Sequence, residues 1–340
     1  MILKEHVPLA PLTTFRIGGP ADRLVEVRSQ EEVLDALSYA HEHGLSVAVL
    51  GGGSNILVPD EGVRGMVLRM MMSEVSFQKD GDDVVMCSAE AGASWDEVVL
   101  RAVTENLWGI ENLSGIPGTV GGAVVQNIGA YGAVLSGIIH SVDVYDTEKR
   151  TLHTLSRDDC GFGYRTSMFK RSPGCYIVLG ARVALSPSRL PNVAYTDLAL
   201  RFEGGMPTTL RAVREAVLAI RRTKFPDLAE FGTAGSFFLN PVMDDGAARA
   251  VAERFPGMPL FPLPEGGVKV PVAWLLDYRH GILDMRSMTV GGAFVWPHQP
   301  LVIATRQGAT AHDVRELAKN IAERVQEATG IQLEPELGKF

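Results

Sequence analysis

The chain has 340 residues, 46% of them hydrophobic and 21% charged, which is too apolar for a disordered chain and long enough to bury about three quarters of its unfolded surface. Its formal net charge of -8 leaves no surplus of Lys and Arg for nucleic acid or an anionic membrane, so an anionic ligand has to meet a local positive pocket. Cys87, Cys160 and Cys175 are widely spaced and form no C-x-x-C pair, which excludes a disulfide framework and a thiolate zinc site and points to a reducing compartment.

In chain order, the N-terminal stretch lacks the basic and apolar regions of a secretory leader, and no window approaches ~18 uninterrupted apolar residues. A soluble cytoplasmic protein is therefore expected. Leu24 to Val27 reads as a strand, and Ser29 with Glu32 as the capping box of a following helix, in which hydroxyl and carboxylate satisfy orphan N–H groups reciprocally. Val47 to Leu50 and Ile56 to Val58 read as strands on either side of a glycine turn, and Val84 to Met86 as another. Ser94 with Glu97 and Thr310 with Asp313 repeat the box, so a helix should follow each. Val142 to Tyr145, Ile177 to Leu185 and Leu301 to Ala304 complete the strands.

Leu210, Val213, Val217 and Ile220 lay an apolar stripe along one helix, with Arg211, Arg214 and Glu215 expected to face water and an end at Arg221 to Lys224 before Phe225-Pro226. The order is no regular β-α-β alternation, which favours a mixed α+β fold over a doubly wound sheet. Breaks are expected at Gly62 to Gly65, Ser186 to Pro191 and Gly204 to Pro207.

Two glycine-rich segments could carry chemistry. Gly51-Gly52-Gly53-Ser54-Asn55 follows one apolar run and precedes another, so it joins strand to strand, which excludes the dinucleotide fingerprint that needs a helix N-terminus. Ser114-Gly115-Ile116-Pro117-Gly118-Thr119-Val120-Gly121-Gly122 lacks the G-K-[ST] ending of a triphosphate loop. Each alone reads first as a turn; together they can bring backbone N–H groups onto phosphate oxygens without side-chain charge. Asn127-Ile128-Gly129-Ala130-Tyr131-Gly132 mixes an amide, glycines and an aromatic, which suits a wall against a flat ring.

The eight histidines offer no H-x-x-x-H pair with an intervening carboxylate, so no metal site is expected. Ser236, in Ala234-Gly235-Ser236-Phe237-Phe238, is not in a G-x-S-x-G elbow and reads first as a structural serine. Tyr164-Arg165 after Gly163 could grip a carboxylate with a planar fork or form a surface salt bridge. Glu334-Pro335-Glu336 directs two carboxylates differently around a proline, or is a solvated acidic stretch.

Taken together, Thr13-Thr14-Phe15-Arg16-Ile17-Gly18-Gly19, the two glycine segments, Asn127 to Gly132, Tyr164-Arg165, Ala234 to Pro241 and Leu333 to Glu336 resemble the UDP-N-acetylenolpyruvoylglucosamine reductase family, in the family's order and over nearly the whole chain. The resemblance implies a VAO-type, two-part FAD-binding α+β fold with a third, α/β substrate-binding domain. The implied parts are 1–65 and 66–207 for FAD, 208–320 for substrate, and 321–340 as a segment returning to the active site. It implies non-covalent FAD held by Gly51, Gly52, Gly53, Ser54, Asn55, Ser114, Ile116, Pro117, Gly118, Gly122, Asn127, Gly129, Ala130 and Tyr131.

The same resemblance implies NADPH as reductant and UDP-N-acetylglucosamine enolpyruvate as substrate, in peptidoglycan precursor synthesis by a monomer. Arg165 and Glu336 would stabilise the developing enolate-like carboxylate and Ser236 would protonate the adjacent carbon. Tyr164, Tyr195, Lys224, Asn240 and Gln299 would contact the substrate. Phe261 departs from the pattern, where longer-type relatives often carry a tyrosine. Two rivals remain: another flavin oxidoreductase of the same fold acting on an alcohol or lactone, which often has a tethering His in the glycine loop, and a flavin-free nucleotide-sugar binding protein.

Overall fold

The computed structural model describes residues 1–202, 205–207, 209–263, 266–277 and 283–338, so Gly204 of the expected turn and His280 lie outside the described residues. The chain divides into two compact units. Unit 1 comprises Met1–Val7, Ala21–Gly53 and Val63–Thr223, and unit 2 comprises Pro8–Pro20, Ser54–Gly62 and Lys224–Phe340. The break near Thr223 keeps the helix over 210–223 with unit 1, whereas the sequence reading put a boundary at 207.

Unit 1 is built on two sheets, and the expected α+β mixture is what they form. The first has the order β1-β2-β4-β3, from Leu3–Pro8, Pro20–Val27, Val63–Met70 and Val47–Leu50, with β4 parallel to both β2 and β3. The helix α1, Gln30–Glu42, follows β2. The second sheet has the antiparallel order β10-β9-β11-β6-β5, from Thr151–Ser156, Ile139–Asp146, Tyr176–Leu185, Val85–Glu90 and Val75–Lys79. Strand β11 is central, which explains why its sequence is a continuous apolar run rather than an alternation. Between β6 and β9 in the chain come α2 (Trp95–Thr104), α3 (Val120–Gln126) and the short hairpin of β7 (Gly129–Ala130) and β8 (Ala133–Val134). Trp95 is buried at the centre of this core and donates its Nε1–H to the Leu113 carbonyl at 3.0 Å. The short α4 (Met168–Arg171) precedes β11, and α5 (Thr196–Ala199) and α6 (Leu210–Lys224) follow it.

Several local expectations meet a different outcome. The Thr310 box is complete, but Ser29 accepts only from Glu32 N–H, because the Glu32 carboxylate turns to the Arg28 N–H at 2.6 Å. Ser94 makes no side-chain cap at all. Its backbone is bridged to Thr119 and the Trp95 N–H goes to the Gly118 carbonyl, so backbone pairing sets where α2 begins. Arg214 is buried rather than facing water, since its guanidinium grips both oxygens of Asp96 at 2.6 and 2.8 Å. Helical periodicity cannot reveal an acid waiting on another element. The run Ile56 to Val58 forms no strand and makes only a bridge from Ile56 to Gly338, because Val58 is buried as a plug beside Gly18 instead of pairing in a sheet. The strand after the first glycine segment is therefore β4.

Unit 2 has an antiparallel sheet of order β12-β18-β17-β16, from Gly232–Ser236, Val302–Thr305, Ala293–Val295 and Thr289–Val290. A smaller sheet has the order β13-β15-β14, from Val242–Met243, Val268–Lys269 and Phe261–Pro262. Helices α7 (Asp245–Arg254), α8 (Val272–Leu275) and α9 (Ala311–Thr329) complete it, and α9 buries Val314, Leu317, Ile321 and Val325. Its first turn has a second cap: the Asp60 carboxylate accepts from Ala311 N–H at 2.7 Å and His312 N–H at 2.8 Å. No helix among the described residues is long and apolar enough to cross a membrane.

Replacing Asp60 by Ala strips two N–H partners from α9 and should destabilise the protein by about 1–2 kcal/mol, read from the midpoint of urea unfolding at unchanged slope. Burial pushes the thiols of Cys87 and Cys160 up to about 12, whereas Cys175 is exposed. At pH 8 a thiol reagent should therefore label Cys175 rapidly in the native protein and the other two only after unfolding; fast labelling of Cys87 or Cys160 contradicts this packing.

Candidate functional site

In unit 1 the two glycine segments come against each other. A Cβ at Gly51 would lie 2.4 Å from Thr119 Oγ1, and one at Gly52 would lie 2.7 Å from Gly118 Cα. Gly118 itself has φ +115°, a conformation closed to side chains. The second segment is pinned by Val120 N–H to the Ala93 carbonyl and Gly121 N–H to the Ala91 carbonyl, and it leads into α3, a helix the sequence reading did not place. Thr119 Oγ1 is buried in this cradle with no hydrogen-bond partner among the described residues. Bare backbone and an unmatched hydroxyl are what a phosphate-bearing cofactor needs at close range, so the residues present fit FAD.

Of the other cofactor candidates, Ser114 gives its hydroxyl to the Glu111 carbonyl at 2.6 Å, and Gly115 N–H donates to Asp96 Oδ1 at 2.6 Å. Burial alone would raise the Asp96 carboxyl, but the Arg214 guanidinium and the Gly115 N–H outweigh it and hold the group below the usual carboxylate range. Asn127 ends α3 in the left-handed region; its Nδ2 donates to the Gly163 carbonyl at 2.9 Å and its Oδ1 accepts from Ser136 N–H at 3.0 Å.

That contact positions Arg165. Gly163 and Thr166 exchange backbone bonds at 3.0 and 3.2 Å, leaving Tyr164 and Arg165 as the tip of a two-residue turn, and Arg165 is held at φ +53°, a strained value for a residue with a side chain. Ser167 Oγ donates to the Val125 carbonyl at 2.7 Å, and Lys170 Nζ donates to Gln126 Oε1 at 2.6 Å and to the Arg165 carbonyl at 3.3 Å. Arg221, on α6, supplies a second guanidinium. Its proton affinity is lowered by burial and by the neighbouring Arg165 cation, and raised by a hydrogen bond with Tyr131 and by Asp96. Sequence reading saw Arg221 only as a helix end; the structure brings its cation close enough to Arg165 for the two to interact.

Unit 2 brings its own candidates together on neighbouring backbone. The segment from Glu334 to Gly338 runs between two others: Leu239 N–H donates to the Glu334 carbonyl at 2.9 Å, Glu336 N–H to the Phe237 carbonyl at 2.8 Å, and Gly338 N–H to the Asn55 carbonyl at 2.9 Å. Asn55 Nδ2 reaches the Glu336 carbonyl at 3.5 Å. Ser236 follows a register shift in β12, where Gly235 takes φ +79° in a bulge of the strand. Asn240 Oδ1 accepts from Val272 N–H at 2.9 Å, at the start of α8. Gln299 lies in the turn between β17 and β18, with its carbonyl accepting from Val302 N–H at 2.9 Å, beside Trp296, whose buried Nε1–H has no partner among the described residues. Phe261 faces the Lys269 ammonium at 4.8 Å from its ring centre, a cation–π contact. Tyr195 belongs to unit 1 and meets Tyr131 edge to face. Among the described residues no group of His, Cys, Asp and Glu could hold a metal.

Residues 21–156 match the family model of an FAD binding domain, and residues 227–339 match that of the UDP-N-acetylenolpyruvoylglucosamine reductase C-terminal domain. The UDP-N-acetylenolpyruvoylglucosamine reductase of Pseudomonas aeruginosa is 40% identical over 336 residues, covering 98% of each chain. Its counterpart from Neisseria gonorrhoeae is 38% identical over 323 residues, 94% of this chain and 92% of that one. The crystal structure of UDP-N-acetylenolpyruvylglucosamine reductase from Thermus caldophilus aligns over 100% of both chains with a TM-score of 0.67 and 28% identity.

Because a methyl group at Gly52 would press on backbone, Gly52→Ala should sharply lower FAD retained through purification, measured by visible absorbance per mole of folded protein. Gly137, which is outside the cradle and whose Cβ would meet nothing closer than 3.9 Å, is the control, and Gly137→Ala should retain FAD close to wild type. Equal retention in wild type and Gly52→Ala would contradict the cradle.

Proposed function

Since the chain belongs to the UDP-N-acetylenolpyruvoylglucosamine reductase family, we propose that it reduces UDP-N-acetylglucosamine enolpyruvate to UDP-N-acetylmuramate, with non-covalent FAD and with NADPH as reductant. The observation that carries this reading is the cradle of Gly51, Gly52 and Gly118 around the unpartnered Thr119 hydroxyl, within the stretch that matches an FAD binding domain. FAD, when bound, supplies the hydride chemistry between NADPH and the enolpyruvyl methylene. The glycine loop from Gly51 to Asn55 contains no His that could tether a flavin, which disfavours the oxidase alternative.

The chain's own groups then handle charge and the proton. Hydride arriving at the methylene leaves negative charge on the adjacent carbon and its carboxylate. Arg165, preset in its turn, offers that carboxylate a two-point fork, and Glu336 shares the stabilising role. Ser236 gives its hydroxyl proton to the adjacent carbon, which is basic enough for a neutral hydroxyl to serve as acid. Tyr164, Tyr195, Lys224, Asn240 and Gln299 contact the nucleotide sugar. In this reading residues 1–65 and 66–207 hold FAD, 208–320 carry the sugar, and 321–340 return Glu336 to the reacting carbon. The protein acts as a cytoplasmic monomer in peptidoglycan precursor synthesis, and so serves cell-wall growth and division.

Two substitutions test these roles. Arg165→Lys keeps the charge and loses the fork, so turnover should fall while flavin content stays normal; unchanged turnover would return Arg165 to a surface salt bridge. Ser236→Ala should leave bleaching of the flavin by NADPH nearly intact and slow recolouring by the enolpyruvyl sugar by ~10²–10⁴-fold in anaerobic stopped flow. Equal slowing of both phases, or loss of FAD, would make Ser236 a packing or cofactor residue.

A further inference from the structure

We propose that Asn112 is a positioning residue for the substrate step, holding the Tyr195 loop against the Tyr131 hairpin. Asn112 lies in the short turn Glu111–Leu113, immediately before the second glycine segment, and is 1% exposed. Its Nδ2 donates to two carbonyls far apart in the chain, Tyr131 O at 2.7 Å and Asn192 O at 2.7 Å. The opposite amide orientation would set Oδ1 against both carbonyl oxygens, so the partners decide which way the group points. As a result Oδ1 is buried with no partner among the described residues. A side chain present only to fill space gains nothing from an unmatched acceptor; here the acceptor is forgone so that both N–H groups can join the two segments.

The loop answers from its side. Asn192 Nδ2 donates to the Gly132 carbonyl at 3.0 Å, and the Tyr195 ring meets Tyr131 at 5.5 Å and 87°. Leu198, three residues on, is fully buried in a small core with Tyr131, Val213, Val217 and Ile220. Tyr195 itself is 42% exposed, so its own burial does not place it. Asn112 and Asn192 fasten the segment before it, and Leu198 the segment after. Tyr131 is thus held at its carbonyl by Asn112, at its ring by Tyr195 and at its hydroxyl by Arg221.

This inference rests on the reading of Tyr195 as a residue that contacts the substrate. With the loop already ordered, binding need not supply the ordering entropy of that segment. Release of the latch should therefore appear in KM and leave kcat nearly alone.

The test compares wild type, Asn112→Ala, Asn112→Leu, Asn192→Ala, Tyr195→Ala and the Asn112→Ala/Tyr195→Ala double variant, all as FAD-loaded protein. Both Asn112 variants should raise KM for the enolpyruvyl sugar by about tenfold with kcat and FAD content close to wild type, and in the Tyr195→Ala background Asn112→Ala should add less than about twofold. Rescue by Leu, which fills space without donors, or full additivity with Tyr195→Ala, overturns the proposal. Hydrogen exchange reads the latch directly: amides from 192 to 199 should exchange faster in the Asn112 and Asn192 variants, with β9 and β11 unchanged. If Asn112→Ala fails to fold, Asn192→Ala, which removes the Gly132 contact and the 3.4 Å bond from Ala194 N–H to Asn192 Oδ1 while leaving Asn112 in place, carries both measurements, and unchanged exchange at 192–199 overturns the latch. Absence of turnover in the wild type would instead remove the functional reading, while hydrogen exchange still decides whether the latch exists.

Discussion

The close approach of Gly52 to the backbone of Gly118, and of Gly51 to the Thr119 side chain, is the constraint from which the arrangement of unit 1 follows. At the separations there, a side chain on Gly52 would press on the Gly118 backbone and one on Gly51 would displace the Thr119 hydroxyl. The consequence is chemical as well as steric: an acidic chain can meet a phosphate-bearing cofactor with N–H groups and one hydroxyl instead of a run of lysines. The elements around the cradle hold these segments in place. The Ser94–Thr119 bridge and the bonds from Val120 and Gly121 fix the second segment, and the Asp96–Arg214 pair fixes Gly115 through its N–H.

Beyond the cradle, the same chain gathers positive charge without a basic motif. Arg165 comes from a strained two-residue turn anchored on the end of α3, and Arg221 from the last turns of α6. Arg165 is marked in the sequence by the glycine and tyrosine before it, whereas Arg221 stands unmarked beside Arg222. In unit 2 the extended Glu334–Gly338 segment does a parallel job: backbone bonds to Phe237, Leu239 and Asn55 fix the main chain at Glu336 beside the segment that follows Ser236.

Much of the architecture is legible because burial imposes periodicity. The stripe Leu210, Val213, Val217, Ile220 and the run Ile177 to Leu185 read correctly as a helix face and a strand, and the Thr310 box marks the start of α9. What failed did so where long-range pairing overrules local pattern. Arg214 looked solvent-facing because its acid lies on α2; Ser94 looked like a cap because its bridge to Thr119 cannot be seen locally; Ile56 to Val58 looked like a strand because a plug and a strand share an apolar run. The strand β12 escaped notice because Gly232, Ala234 and Gly235 carry little β signal. The candidate site was legible chiefly through the order of its motifs, since each motif alone reads as a turn or an acidic stretch, and Arg221, Thr119 and Asn112 have no motif to mark them.

The most direct measurement is the visible spectrum of the purified protein followed through one anaerobic cycle, with the sugar product identified afterwards. The account predicts a yellow protein that yields free FAD on heating, is bleached by NADPH, and regains its colour on adding UDP-N-acetylglucosamine enolpyruvate as the sugar gains one hydride and one proton. A colourless protein that takes up no added FAD, or a bleached one that the enolpyruvyl sugar fails to recolour, would contradict it.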